Sequence, residues 1–429
     1  MDGGGTHILS ANCNIAAGGA HSIAFSYGTG KIVAFGQGKH GQLGTGTVSD
    51  NVVPIMVAAQ HSGQGEEVAW NDREQNVVHV ACGNNHSALL TDRGRLYMWG
   101  RNNKTQLARH NDDATNVSAW VPNLVKIPGY THEILHIACG VNYSAAVTSN
   151  FDVFTWGSGV FGNLGHGDTK DRSKPELVRR LIGASIVTLA AGSKHMLALS
   201  HSGEVWSWGH GDNGRLGLAS GDVDHEGHGG LIGHLEPSMI TSFRAPVIAV
   251  ATGEAHSVAI TVFGELFTWG AGSYGRLGHG FDHDELSPKR VENLPAKLSS
   301  VACGVLHTVA MTDSGALWVF GGGQYGQLGL SRSLGHQRLP IELQSREIKF
   351  KGFRVRQVAC GDFHTVVVAE NPDIGLGLMI MTWGFGAFGR LGRGGGFLSA
   401  SPLPEKVDMV GSLLLTPNVQ RDSGTQRDT

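Results

Sequence analysis

A chain of 429 residues with a formal net charge of −3, and with both signs of charge scattered along it, has no bulk electrostatic field suited to nucleic acid or to an anionic membrane. Its sequence predicts no signal peptide, and no apolar run is long enough to span a bilayer. The 64 glycines far exceed average usage, yet they recur at fixed places, so they indicate a repeat and exclude low-complexity filler.

One unit recurs seven times along the chain, and its clearest copy runs from Ala251 to Gly280. Each copy has a Gly-x-x-His turn, an apolar run, a second run that ends in an aromatic-Gly pair such as Trp269-Gly270, a glycine loop and a proline-led strand. The prolines are Pro54, Pro122, Pro175, Pro237, Pro288, Pro340 and Pro404. Because proline cannot donate a hydrogen bond to a ladder, these strands are expected at an outer edge.

The seven units account for most of the chain. The first begins near Ile15, and longer inserts interrupt the pattern at residues 47–76 and 218–243. In the third unit Tyr143 replaces the recurring histidine. We expect residues 1–416 to form one domain and residues 417–429 to be a disordered C-terminal tail.

Four short strands per unit and a period of roughly 50 to 65 residues predict an all-β fold, a seven-bladed β-propeller of four-stranded antiparallel blades. We expect the N- and C-terminal strands to close the ring, with Pro404–Val407 pairing with the strands around Ile15 and Ile23. No unit is expected to be stable alone.

The repeated histidines and cysteines favour a structural role. Six of seven units carry the histidine, and chemistry is asymmetric, so the side chain is expected to bond backbone groups at the turn, with the hydroxyl of Tyr143 as its substitute. Four of the five cysteines share one repeat position, which favours small packing residues that are free thiols, and hence the cytoplasm or the nucleus. His225, His228 and His234 have a loose metal-like spacing, but a solvated loop is the favoured alternative, and no metal site is predicted.

The glycine loops also contain a GxGxxG pattern, for example at Gly157, Gly159 and Gly162. Dinucleotide binding requires a helix directly after such a loop, and here a proline strand follows. The sequence therefore predicts turn geometry, no cofactor and no enzyme activity.

The series ACGxxHSxAxT, then WGxGxxGxLGxG, then a proline strand, closely resembles the repeat of the regulator of chromosome condensation family over most of the chain. The resemblance implies a seven-bladed propeller. It leaves function open, since the fold serves exchange factors for the small GTPase Ran, scaffolds, parts of HECT-type ubiquitin ligases and a plant photoreceptor.

Recognition is expected where the units differ. On the face of the Gly-x-x-His turns the candidate partner-binding residues are Asn84, Asn85, Asn142, Lys194, Glu254, Asp362 and Phe363. On loops taken to lie at the opposite face they are Phe161, Arg215, Tyr274, Arg276, Tyr325, Phe388 and Arg390. Aromatic residues beside arginines are typical of binding hot spots, and packing against the next blade is the alternative.

The favoured function is a non-enzymatic scaffold for protein partners, monomeric by itself or part of a larger assembly. The alternative that the resemblance implies is a nucleotide-exchange factor for a Ran-type GTPase. In that family two acids in the turns and a wedge contact the GTPase, and the matching positions here hold Val141, Lys194 and the short loop after Trp156. The two contacting histidines match His21 and His307. Light sensing, a third hypothesis, needs tryptophans in the Gly-x-x-His turns, and none occurs there.

Overall fold

The computed structural model describes residues 15–25, 31–58, 76–109, 118–127, 129, 133–218, 233–295, 297–330, 341–348, 350, 352–371, 376–394 and 400–407. Within these ranges the chain forms seven four-stranded antiparallel sheets, each built from four consecutive strands. The prediction of an all-β propeller with seven blades is confirmed. The tail 417–429 and much of both inserts lie outside the described residues.

The blades follow one another in chain order. Blade 1 contains β1 (Ile15–Ala17), β2 (His21–Phe25), β3 (Ile32–Gly36) and β4 (Asn51–Met56), and blade 2 contains β5 (Val77–Cys82), β6 (His86–Thr91), β7 (Leu96–Arg101) and β8 (Ser118–Val125). Blade 3 contains β9 (Ile134–Cys139), β10 (Tyr143–Thr148), β11 (Val153–Gly157) and β12 (Arg172–Leu177), and blade 4 contains β13 (Ile186–Ala191), β14 (His195–Ser200), β15 (Val205–His210) and β16 (Gly233–Met239). Blade 5 contains β17 (Val247–Thr252), β18 (His256–Thr261), β19 (Leu266–Gly270) and β20 (Glu285–Arg290). Blade 6 contains β21 (Leu298–Cys303), β22 (His307–Thr312), β23 (Leu317–Gly322) and β24 (Ile341–Ile348), and blade 7 contains β25 (Arg354–Cys360), β26 (His364–Asn371), β27 (Leu376–Gly384) and β28 (Ser401–Lys406). Short 3-10 turns lie at Arg179–Leu181, Asp212–Gly214, Ser273–Gly275 and Ala387–Gly389.

The first strand of each blade lies at the propeller axis and the fourth at the rim, as the order within each sheet and the central cavity show. Every residue of the second strands of blades 1 to 6 is buried, because each blade packs between two neighbours. This burial explains why those runs do not alternate apolar and polar residues. Six of the seven repeat prolines lie in fourth strands, at the predicted outer edge, and Pro340 is outside the described residues.

Ring closure differs from the expectation. The last strand, β28, pairs with β27, and β1 pairs with β2, so no sheet in the described part of the chain combines the two ends. The predicted pairing of Pro404–Val407 with the strands at Ile15 and Ile23 is wrong, because each set of four strands already completes its own ladder. Instead, the Val407 side chain packs in one apolar cluster with Ile15 and Val33, so that blades 7 and 1 join face to face.

The repeat histidines form a ring of bonds between blades. Each Nε2 lies 2.8–3.1 Å from the side-chain hydroxyl of a serine or threonine in the next blade, the residue directly after that blade's own repeat histidine or Tyr143. The six pairs are His21–Ser87, His86–Ser144, His195–Ser257, His256–Thr308, His307–Thr365 and His364–Ser22. The expectation that these histidines bond backbone groups at the turn is wrong for Nε2, which bonds a side-chain hydroxyl of the next blade. In blade 3 the Tyr143 hydroxyl makes the contact to the next blade, and its partners are backbone groups: it lies 2.9 Å from the Gly192 carbonyl and 2.8 Å from that of His195.

These bonds fix the protonation of the histidines. The Ser87 hydroxyl donates its proton to the Gln42 carbonyl, so the Nε2 of His21 must be the donor toward Ser87. The buried Nδ1 of His21 has no hydrogen-bond partner that would accept a proton from it, so the imidazole is neutral with an unprotonated Nδ1. Burial, the largest cause, agrees with this assignment because it lowers the pKa of both His21 and His307 to about 3.

The glycine loops hold the next blade by one backbone carbonyl. The Gln42 carbonyl accepts from the indole Nε1 of Trp99 at 2.9 Å as well as from Ser87. In blades 3, 5 and 7 the equivalent tryptophan and hydroxyl residues donate to the carbonyls of Gln106, Arg215 and Gln327. In blade 4 Trp208 donates to the Asn163 carbonyl. The repeat tryptophans therefore bind the glycine loop of the preceding blade.

Candidate functional site

Both sets of candidate residues lie at the same end of the propeller. In an antiparallel blade the turn between the first and second strands and the loop between the third and fourth strands leave the sheet at one end. The Gly-x-x-His turns occupy the former and the glycine loops the latter. We call this end the turn face. The prediction that Phe161, Tyr274, Tyr325 and the other glycine-loop candidates lie at the opposite face is wrong. It did not take into account that the third strand of a blade ends at the same end as the first.

Direct contacts confirm the shared location. The Lys194 ammonium, in a turn, lies 4.6 Å from the centre of the Phe161 ring, in a glycine loop. The rings of Tyr325 and Phe363, again one from a loop and one from a turn, are 5.1 Å apart at their centroids in a T-shaped arrangement. Loop residues of one blade thus meet turn residues of the next.

The seven turns converge on a central cavity of about 320 Å³. Its lining residues are mostly glycine and other small residues, and they include Asn84, Glu254 and Asp362 from the candidates that the sequence singled out. The turn glycines are required by space: a Cβ on Gly304 would lie 2.7 Å from the Gly361 carbonyl of the next blade and 2.2 Å from Cε1 of His307. Since only glycine fits, variation within these turns is confined to the residues between each glycine and its histidine.

Three of the predicted binding residues are buried. Arg215, Arg276 and Arg390 are 4–6% exposed, and each donates from Nη1 to a turn carbonyl of the next blade. Burial is the main cause that lowers the pKa of these guanidinium groups, to about 10 for Arg390. These three arginines therefore pack against the next blade, which is the alternative to partner binding that the sequence analysis gave.

The other candidates are at least partly exposed on the turn face. Tyr274 is 43% and Phe388 41% exposed, Glu254 is exposed, and the remaining ones are half-buried. Burial raises the pKa of Asp362, although the nearby Arg390 acts in the opposite direction. The half-buried members are Asn84, Asn85, Asn142, Phe161, Lys194, Tyr325, Asp362 and Phe363.

Two members of this surface were missed by the sequence analysis. The Phe385 ring lies 4.6 Å from that of Tyr325 and beneath the Arg390 guanidinium, and His210 makes a T-shaped contact with Phe161. Both residues directly follow an aromatic-Gly pair. Treating that position as a variable one would have found them.

The positions implied by the resemblance to exchange factors are also placed. Val141 and Lys194 lie in their turns as half-buried residues, while His21 and His307 are completely buried and bonded to the next blade. Those two imidazoles therefore have no exposed surface to offer a partner. His225 and His228 lie outside the described residues.

Family models match most of the chain. The model of the RCC1-like domain matches residues 66–426, and the model of the regulator of chromosome condensation (RCC1) repeat matches residues 29–90. No helix in the described ranges is long and apolar enough to cross a membrane.

Curated relatives are about a third identical to this chain over the aligned regions. The E3 ubiquitin-protein ligase HERC2 of Homo sapiens is 34% identical over 366 residues, which cover 84% of this chain and 7% of that protein. The ultraviolet-B receptor UVR8 of Arabidopsis thaliana is 31% identical over 383 residues, which cover 89% of this chain and 78% of the receptor. The chain thus spans 7% of the length of HERC2 and most of the length of UVR8.

Solved structures show the same fold. Prp20p from Saccharomyces cerevisiae, whose structure was reported with its binding to Gsp1p and histones, has a TM-score of 0.73 at 22% identity, covering 90% of this chain and 87% of that one. Human WBSCR16 has a TM-score of 0.71 at 23% identity, covering 83% of this chain and 86% of that one.

Proposed function

Because the chain belongs to the RCC1-like domain family, we propose that it is a non-enzymatic propeller that binds a protein partner on its turn face. The observation that carries this proposal is the convergence of both variable sets on one end. There, Tyr274 and Phe388 are exposed aromatic side chains on a rigid ring, and large aromatic residues are frequent anchors of protein interfaces.

Charged side chains lie on the same face as these aromatic residues. Glu254 and Asp362 line the central cavity, and the Lys194 ammonium lies over the Phe161 ring. Protein interfaces combine aromatic anchors with polar and charged groups in this way.

Substitution on the turn face tests the proposal. The tagged chain and its Tyr274→Ala/Phe388→Ala variant would be used for affinity purification with quantitative mass spectrometry. Phe263→Ala is the matched control, because Phe263 is 68% exposed in the turn between β18 and β19, at the opposite end. We expect partners that the wild type and Phe263→Ala retain to be lost from the double variant. Loss with Phe263→Ala alone, or full retention by the double variant, would contradict the proposal.

The second candidate function is nucleotide exchange on a Ran-type GTPase. Its support is the fold shared with Prp20p, a structure reported together with binding to Gsp1p. Against it stand Val141 and Lys194 at the positions where the resemblance implies acids. A fluorescent-nucleotide release assay with Ran distinguishes the two proposals: acceleration by this chain would favour exchange, and an unchanged rate favours the binding platform.

A further inference from the structure

One residue of the glycine loop divides the seven blades into two classes. We number the loop from its first residue, so that in blade 5 Gly272 is position 1, Tyr274 position 3 and Arg276 position 5. Position 5 is an amide in blades 1, 2, 3 and 6 and an arginine in blades 4, 5 and 7. The amides are Gln42, Gln106, Asn163 and Gln327, and the arginines are Arg215, Arg276 and Arg390.

In the amide class the side-chain oxygen accepts the backbone N–H of position 3. The Tyr325 amide donates to Oε1 of Gln327 at 2.9 Å, and the three other loops make the same bond at 2.8–3.3 Å. The residue at position 3 does not have a positive φ and is half-buried in all four loops.

In the arginine class the peptide group between positions 2 and 3 is reversed, so that its carbonyl, and not its N–H, faces the side chain of position 5. A guanidinium has only donors, so it cannot accept the N–H of position 3. Instead, Nε of Arg276 donates to the Ser273 carbonyl at 2.9 Å, and Arg215 and Arg390 bond Asp212 and Ala387 in the same manner.

The reversed peptide changes the residue that follows it. Position 3 has a φ of 61° at Asn213, 65° at Tyr274 and 62° at Phe388, and all three are exposed. A positive φ costs an L-residue about 1–2 kcal/mol. The bond from each Nη1 to a turn carbonyl of the next blade offsets this cost and anchors the loop.

Blades 5 and 6 provide an internal comparison. Their loops read GSYGRLG and GQYGQLG, with a tyrosine at position 3 in both. Tyr274, beside Arg276, has a positive φ and is 43% exposed, whereas Tyr325, beside Gln327, is half-buried against Phe363 and Phe385. The residue at position 3 is the same, so it cannot be the cause of the difference.

We propose that position 5 of the glycine loop determines which blades project a side chain to the partner, and that recognition is concentrated on Asn213, Tyr274 and Phe388. The recognition half of this inference rests on the proposed function, while the conformational half stands without it. The partner it fits is a protein surface with apolar pockets for the rings of Tyr274 and Phe388. The Asn213 amide already bonds the Asp284 carboxylate and the Arg215 guanidinium, which hold this exposed side chain in place.

Exchanging position 5 between blades 5 and 6 tests the conformational half. In Arg276→Gln we expect a crystal structure to show Tyr274 with a negative φ, and nitration by tetranitromethane, mapped by mass spectrometry, to fall several-fold at Tyr274. In Gln327→Arg we expect the opposite change at Tyr325. Arg244→Gln, which removes an exposed positive charge before β17, is the control and should change neither tyrosine.

The outcomes separate the two halves. Unchanged φ and nitration in both variants would overturn the role of position 5. If the loop changes but Arg276→Gln retains every partner that Tyr274→Ala loses, the recognition half is wrong. Should Arg276→Gln fail to fold, Gln327→Arg still decides the matter, because it adds the guanidinium without removing one. Failure of the proposed function itself would appear separately, as partner capture unaffected by Tyr274→Ala/Phe388→Ala.

Discussion

Nε2 of His364 in the last blade lies 2.9 Å from the Ser22 hydroxyl in the first blade, across 342 residues of sequence. The contact has the same geometry as those between the other histidine-bearing blades and their successors, so the junction of the two ends is chemically equivalent to the covalent junctions. Together, these six contacts place a neutral imidazole in the interior of every blade except blade 3.

Acid should destabilise the propeller through these histidines. The folded-state pKa is lowered by burial to about 3 for His21 and about 4 for His86, against about 6.5 in an unfolded chain. The unfolded chain binds more protons below pH 6.5, so the stability that the neutral imidazoles contribute is complete above that pH and is lost as the pH falls toward 4. Each such histidine contributes a slope of up to about 1.4 kcal/mol per pH unit.

Denaturant unfolding between pH 7 and pH 4.5 measures this slope. We expect His307→Gln to lower the proton uptake on unfolding by about one, since the pKa of His307 is lowered to about 3. His283→Gln, at a side chain that is 82% exposed, is the control. Equal slopes for the two variants would show that the buried imidazoles do not set the acid limit.

A methyl group at the propeller axis should be poorly tolerated. In Gly304→Ala the new Cβ would meet the Gly361 carbonyl at 2.7 Å and the His307 ring at 2.2 Å, and neither can move without disturbing the next blade. We expect a loss of about 3 kcal/mol or more in the free energy of unfolding.

The control for this substitution is Gly183→Ala, which has a φ of 83° and open space around the Cβ. Backbone strain alone should cost it about 1–2 kcal/mol. If chemical denaturation gives the same loss for both variants, crowding at the axis is not the reason for the turn glycines.

The Tyr143 hydroxyl should contribute measurably to stability. Tyr143→Phe leaves the Gly192 and His195 carbonyls without this donor in a buried site, at a cost of about 1–3 kcal/mol. Tyr274→Phe removes an exposed hydroxyl and should stay within about 0.5 kcal/mol of the wild type. Thermal unfolding of the two variants side by side checks the difference, which disappears if the Tyr143 bond is dispensable.

The repeat thiols should be slow to react in the folded protein. Burial is the largest cause that raises the pKa of Cys139 and Cys360 to about 12, so the reactive thiolate is scarce at neutral pH. We expect iodoacetamide at pH 7.5 to modify Cys82, Cys139, Cys303 and Cys360 far more slowly in the native protein than after denaturation, as measured by peptide mapping. Rapid modification of the native chain at these sites would contradict their assignment as packing residues.

The repeat alone predicted the fold because glycine and proline each meet a backbone requirement that recurs in all seven units, and tryptophan meets one in five of them. The repeat also predicted that Tyr143 bonds through its hydroxyl, since Tyr143 stands where the other six units have the histidine. The prediction that the candidates lie on two opposite faces was wrong, although counting the strands of one unit would have placed the turns and the glycine loops at the same end. The location in the cytoplasm or nucleus stays a prediction.

The burial of Arg276 could not be predicted from sequence in the same way. Arginine in a polar loop is ordinarily exposed, and its position here depends on the direction of a single peptide group, Ser273–Tyr274. The closure of the ring was missed for a related reason. Pairing patterns constrain strands within a sheet, whereas the contact of Val407 with the first blade is side-chain packing between sheets.

Face-to-face packing of blades 7 and 1 means that the chain need not begin in blade 1, provided that the cyclic order of the blades is kept. A circular permutant that links Val407 to Ile15 through a flexible spacer and opens the chain between β12 and β13 would keep every sheet intact. Any of the seven blades could then carry the termini, which would let a fused domain be attached at a chosen sector around the circumference.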